Sequence, residues 1–209
     1  MHIPDGFLDI KSCVGAGILS VGSISFVVKE LKKNISDKDI PQMGVVSAFI
    51  FAAQMINFPI AFGTSGHLLG AALATILLGP LKAIIVLTGV VGVQAFFFQD
   101  GGIMAIGANL LNIAILPVVI VYLAQRFLSK IDGFEKSKIF IVSWISVVIS
   151  AVIISLELQI SGTYELGKVL TLMFFWHCII GIGEGIITCL SYSFINNLLE
   201  RRNLNGVES

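Results

Sequence analysis

Three histidines, His2, His67 and His177, are the only imidazoles in the 209-residue chain. The pair Met1-His2 has a specific chemistry. A free α-amine, the next amide nitrogen and the histidine Nδ1 can bind one metal through two small chelate rings, filling three corners of a square plane. The amide must give up its proton. Cu²⁺ and Ni²⁺ drive that most readily, and both accept planar nitrogen coordination. One corner stays open, and His67 can fill it. Amine, amide and imidazole all compete with protons, so affinity should fall in acid. A histidine at position 2 also arises by chance, and a single histidine in an apolar chain is often only a satisfied polar group. Ile3-Pro4-Asp5-Gly6-Phe7-Leu8 reads as a turn followed by an apolar plug, able to fold the terminus back into the protein. Gly63-Thr64-Ser65-Gly66-His67 is glycine-rich and permits close backbone approach.

Other side chains could support such a centre. Asp100, beside Gly101-Gly102, could accept a hydrogen bond from a ligand imidazole or be a solvated turn residue. Thr64 and Ser65 could bond near His67 or cap the helix that follows. His177 and Glu184 lie two turns apart on one helix face. An ionisable group deep in a membrane span is a functional candidate. The structural alternative is a polar clasp of Glu184 on Gln94, Asn109 or Asn112.

Membrane helices must position these residues. Hydrophobic residues make up 56% of the chain and charged residues 12%, with a mean hydropathy of +0.96. An average soluble domain is about 25% charged, so a soluble globule and a disordered chain are both excluded. Net charge is zero, which gives nucleic acid no purchase. Cys13, Cys178 and Cys189 lie in apolar runs and read as packing residues. Residues 1–10 hold two aspartates and no basic residue, unlike a secretory signal, so the mature chain is expected to begin at Met1.

The apolar runs predict an all-α integral membrane protein, a single polytopic domain over 1–209 with an N-terminal metal-binding segment at 1–9. Seven spans are expected, at about 10–30, 41–62, 67–79, 81–98, 103–128, 139–158 and 169–198. Gly79-Pro80 separates the third from the fourth. That break puts eleven of the thirteen Lys and Arg residues on one side, including Arg201 and Arg202, and only Lys11 and Lys168 on the other. The positive-inside rule then sets the N-terminus outside and the C-terminus in the cytoplasm. The third span is short, so its outer end should be sunk, leaving a depression near 63–67. Small residues at four-residue spacing, Ser12/Ala16/Ser20 and Gly181/Gly185, offer close helix packing or a face for a partner.

MHIPDGFLD at 1–9, GTSGHLLG at 63–70 and HCIIGIGEGIIT at 177–188 resemble the CbiM/NikM family. These are the substrate-binding (S) components of prokaryotic energy-coupling-factor (ECF) importers for cobalt and nickel. The resemblance covers essentially the whole chain. It implies a seven-helix S-component in the cell membrane, whose first helix delivers the N-terminus to the site. It implies Ni²⁺ or Co²⁺ held as transported substrate by Met1, His2 and His67. It also implies a transmembrane coupling component, two cytoplasmic ATPases and, in some systems, a small accessory membrane subunit. The MHIPDGFL opening looks like the nickel branch.

Two other readings use the same residues. Ser65 and His177 loosely match the nucleophile and base of rhomboid intramembrane proteases. A stand-alone metal carrier would need ionisable groups through the membrane, where only Glu184 and His177 qualify. Residues 162–169, GTYELGKV, nearly match a phosphate-binding loop but lack its final Ser/Thr. No ATP site is expected in this chain, and it is not expected to be an enzyme.

Overall fold

A computed structural model describes residues 1–60 and 64–204, with side chains described to residue 198. Arg201 and Arg202 of the basic cluster therefore lie outside the described side chains, as do Phe62 and Gly63 of the expected turn. The helices are α1 (Ile10–Leu31), α2 (Asp39–Met55), α3 (Ala71–Leu78), α4 (Pro80–Phe97), α5 (Ile106–Leu128), α6 (Glu135–Ile160) and α7 (Leu166–Leu204). Between α2 and α3 lies an antiparallel hairpin, β1 (Phe58–Ile60) and β2 (Thr64–Gly66), pairing Phe58 with Gly66 and Ile60 with Thr64.

Local chemistry explains the boundaries. The Asp9 carboxylate accepts the Ser12 amide at 3.1 Å and starts α1. Gly79, at φ +81°, ends α3, and Pro80 opens α4, where a missing N–H costs nothing. The expected second span reaches 62, but α2 stops at Met55. Pro59 steers Phe58 out of helical geometry and the chain turns into β1. The expected third span begins at 67, but residues 67–70 are not helical and α3 has only eight residues. Within α5, Leu110–Ile115 widens to a π-helix just before Pro117. Proline's missing N–H and its clash with the carbonyl four residues back account for the wider turn.

Five helices, α1, α4, α5, α6 and α7, are long and apolar enough to cross a membrane. Large apolar side chains such as Ile18, Phe26, Phe127 and Phe194 face outward, a surface suited to lipid. The chain is a multi-pass membrane protein.

Small residues seat the helices on one another. A Cβ at Gly107 in α5 would lie 2.5 Å from the Gly17 Cα in α1. Ser20 Oγ donates to the Gly107 carbonyl at 2.6 Å. Gly181 and Gly185 of α7 receive Trp144 and Phe140 of α6. Both small-residue faces therefore serve packing within the chain. Cys13, Cys178 and Cys189 are unpaired thiols.

The segments expected outside meet at one end. Thr163 Oγ1 donates to the Phe7 carbonyl, and Ser161 Oγ to Asp9 Oδ1. Asp5 accepts the amides of Ile103, Met104 and Ala105.

Candidate metal site

The first three residues are buried, with Met1 0%, His2 2% and Ile3 0% exposed. Backbone recognition holds them there. The Met1 amine donates to the Ser65 carbonyl and, at 3.0 Å, to Ser65 Oγ. The His2 amide donates to the same hydroxyl at 3.2 Å. Asn109 clamps Ile3 from both sides, accepting its amide at 2.8 Å and donating to its carbonyl at 3.0 Å. The Gly102 amide adds a third bond to Ile3, at 2.9 Å. Gly102 also has to be glycine, because a Cβ there would overlap Asp5. The Asp5 carboxylate on three successive amides completes the fold-back.

His67 joins this terminus from the end of the hairpin. Its ring stacks on His2, with centroids 4.6 Å apart and planes 26° apart. Nδ1 of His67 bonds the Leu68 carbonyl at 2.7 Å, so it carries the proton and leaves Nε2 as a free lone pair. Nε2 of His2 and Nε2 of His67 are buried without a hydrogen-bond partner, and His2 Nδ1 faces the Asp100 carboxylate. Among the described residues no three His, Cys, Asp or Glu side chains could hold a metal together. A site built on His2 and His67 would therefore need further donors, such as the nitrogens of the buried terminus.

Electrostatics favour neutral ligands. Burial lowers the amine of Met1 well below its usual range, against the pull of Asp100. Burial also lowers His2, again opposed by Asp100. The Asp100 carboxylate lies 3.3 Å from His2 Nδ1 and takes a 2.7 Å hydrogen bond from Asn57 on its other oxygen. Burial pushes Asp100 up, but bonding to His2, the charges of His2 and the amine, and Asn57 outweigh it and leave it low. A cavity of about 760 Å³ opens over this group, lined by His2, Asp5, Asn57, Ser65 and Asp100 among others. This is the depression expected near 63–67.

Each sequence candidate has a definite place. Met1, His2, Ser65, His67 and Asp100 come together. Thr64 does neither thing expected of it, since its hydroxyl donates to Met173 Sδ at 3.0 Å and α3 has no side-chain cap at its N-cap residue, Gly70. Glu184 is a clasp, but its partners are the amides of Leu69 (2.9 Å) and Gly70 (2.7 Å). The expected partners are engaged elsewhere or lie apart: Asn109 holds Ile3, Asn112 donates to Glu157 at 2.5 Å, and the Gln94 amide has no hydrogen-bond partner. The start of α3 has unmatched N–H groups, and a carboxylate satisfies them best. His177 bonds the Met173 carbonyl through Nδ1 at 2.7 Å, and its Nε2 is buried and unpartnered. No Ser65–His177 bond forms: His177 Nδ1 bonds the Met173 carbonyl and its Nε2 has no partner. The protease reading has no support.

Sequence reasoning missed three supports. The Ser65 carbonyl left no signal, because main-chain acceptors are silent in sequence. Asp5 read only as a turn residue. Asn109, an amide in an apolar run, was visible but assigned to the wrong partner.

Comparison with known proteins identifies the family. Residues 2–201 match the CbiM family, described as the cobalt uptake substrate-specific transmembrane region. The chain belongs to this family. A Haloquadratum walsbyi protein named for metal transport is 44% identical, over 93% of this chain and 89% of its own. An Archaeoglobus fulgidus protein named as a fused nickel transport protein, NikMN, is 39% identical over 93% of this chain; the match spans only 65% of that longer relative. A crystal structure titled as a transition metal transporter superposes with a TM-score of 0.92 at 31% identity, covering 98% of this chain and 96% of that one.

Proposed function

We propose that this CbiM-family protein captures Ni²⁺, or alternatively Co²⁺, at the outer membrane face with high affinity, as the substrate-specificity subunit of an ATP-driven ECF importer. The observation that carries the reading is the buried convergence of the Met1 amine, the His2 amide and ring, and His67 Nε2. Two imidazoles in neighbouring corners of a square, each nitrogen about 2 Å from the metal, have ring centroids roughly 4–5 Å apart. The 4.6 Å separation fits that arrangement. Asp100 would then place a negative charge beside His2 Nδ1, the ring nitrogen that takes the metal, and Ser65 would seat the amine. Seven crossings with an external N-terminus suit the reading, with α2 and α3 completing their crossings through non-helical backbone shielded by protein. The nickel preference draws on the MHIPDGFL opening and the nickel-named relative. A transmembrane coupling component and two ATPases would supply the energy, with a small accessory subunit in some assemblies.

The test is a Ni²⁺ and Co²⁺ titration of purified protein with native Met1, beside a form carrying one extra N-terminal glycine. The native form should bind one metal per chain. The extended form should bind none, because its first ligand has become an amide. Equal binding by both would rule out the terminus as ligand.

A further inference from the structure

The backbone at residues 67–70 carries His67, yet no regular element holds it. It is pinned from two helices. Glu184 of α7 accepts the Leu69 and Gly70 amides on its two carboxylate oxygens, at 2.9 and 2.7 Å. Gln54 of α2 donates to the Leu69 carbonyl at 2.7 Å. Among the described residues the hydrogen bond that His67 makes through its ring is to the next carbonyl, at Leu68, so its ring follows this backbone as well as the His2 ring it stacks on. The other end of the segment also leans on α7, through Thr64 and Met173. Glu184 is 3% exposed, and the surroundings it shares with Phe49, Ile50 and Leu73 are apolar. A carboxylate is costly in such surroundings unless it is fully bonded.

We propose that Glu184 is a positioning residue for metal capture: its carboxylate holds the 67–70 backbone so that Nε2 of His67 meets the Met1–His2 end. The proposal rests on His67 being a ligand. A glutamine at 184 keeps one acceptor and turns the other into an N–H₂, which opposes a backbone N–H. The His67 segment then shifts. A role confined to stabilising α3 would lower thermal stability and leave the metal centre unchanged.

The experiment is a double-mutant cycle on the full chain with native Met1, reading Ni²⁺ affinity and the visible spectrum of bound Ni²⁺. The variants are Glu184→Gln, His67→Ala and both together. Glu184→Gln should weaken binding about 10- to 100-fold, the usual effect of losing a support behind a ligand. Its spectrum should move from the planar four-nitrogen form toward that of His67→Ala. In the His67→Ala background the same change should cost nothing further. Glu184→Asp keeps both acceptors one methylene back, so it should weaken binding less; it carries the same cycle if Glu184→Gln does not fold. Wild-type affinity and spectrum in the Glu184 variants would overturn the proposal. So would full additivity with His67→Ala. If His67→Ala alone binds like wild type, the metal-site reading fails first, and this inference falls with it.

Discussion

At the scale of single residues, the site is built from groups that ordinary folding leaves in water. A chain-terminal amine is normally charged and solvated. Here it is fully buried and held by Ser65, and its pKa is lowered by burial. Binding requires the free base at the amine and at His2. Burial lowers the pKa of both groups, so both compete less for protons than exposed groups would. Metal binding should therefore persist to lower pH than in an exposed Met-His peptide, then fall as acid protonates the amine, amide and ring. Parallel pH titrations of Ni²⁺ affinity for the protein and for a Met-His-Ile peptide test this. Coincident midpoints would show that burial does not tune the ligands. Asp100→Asn removes an anion beside the nitrogen that takes the metal and should weaken binding about 10-fold at neutral pH through lost charge attraction, read by the same titration. The candidate ligand types were legible in the sequence because a terminal amine followed by histidine has one distinctive chemistry. Ser65 as their seat was not, since half of its contribution is a carbonyl.

At the scale of elements, the terminus is aimed by two close approaches. One is α1 against α5 at Gly17 and Gly107, and the other is Asn109 on Ile3 beside the π-turn. Gly107→Ala should push α1 off α5 and cost about 1–3 kcal/mol of stability by overpacking. The thermal midpoint should drop, and Ni²⁺ affinity should fall with it because the segment leading into α1 carries the candidate ligands Met1 and His2. An unchanged melt would mean that the helices separate freely at this point. The small-residue spacing announced close packing, and the Gly79-Pro80 break was placed correctly. The π-turn and the short hairpin were not foreseen. Both depend on a proline, at 117 and 59, acting on neighbours that hydropathy counts as uniformly apolar.

At the scale of the whole molecule, five helices among the described residues are long enough to span a membrane, and the N-terminal segment meets the α4–α5 and α6–α7 connections at the site end. If the chain is a capture subunit, proteoliposomes holding it alone should bind Ni²⁺ without accumulating it; uptake by this chain by itself would favour a self-sufficient carrier. Composition and the spacing of apolar runs determined by themselves that this is a polytopic helical membrane protein. Those properties are sums over local residues and the bilayer, so no packing detail is needed to read them. Only the tertiary structure decided that Ser65 rather than Thr64 meets the terminus, that Asn109 grips Ile3, and that Glu184 caps the His67 segment. Each of those bonds joins residues more than sixty positions apart, or has a main-chain group as its partner, and neither kind leaves a periodic trace in the sequence.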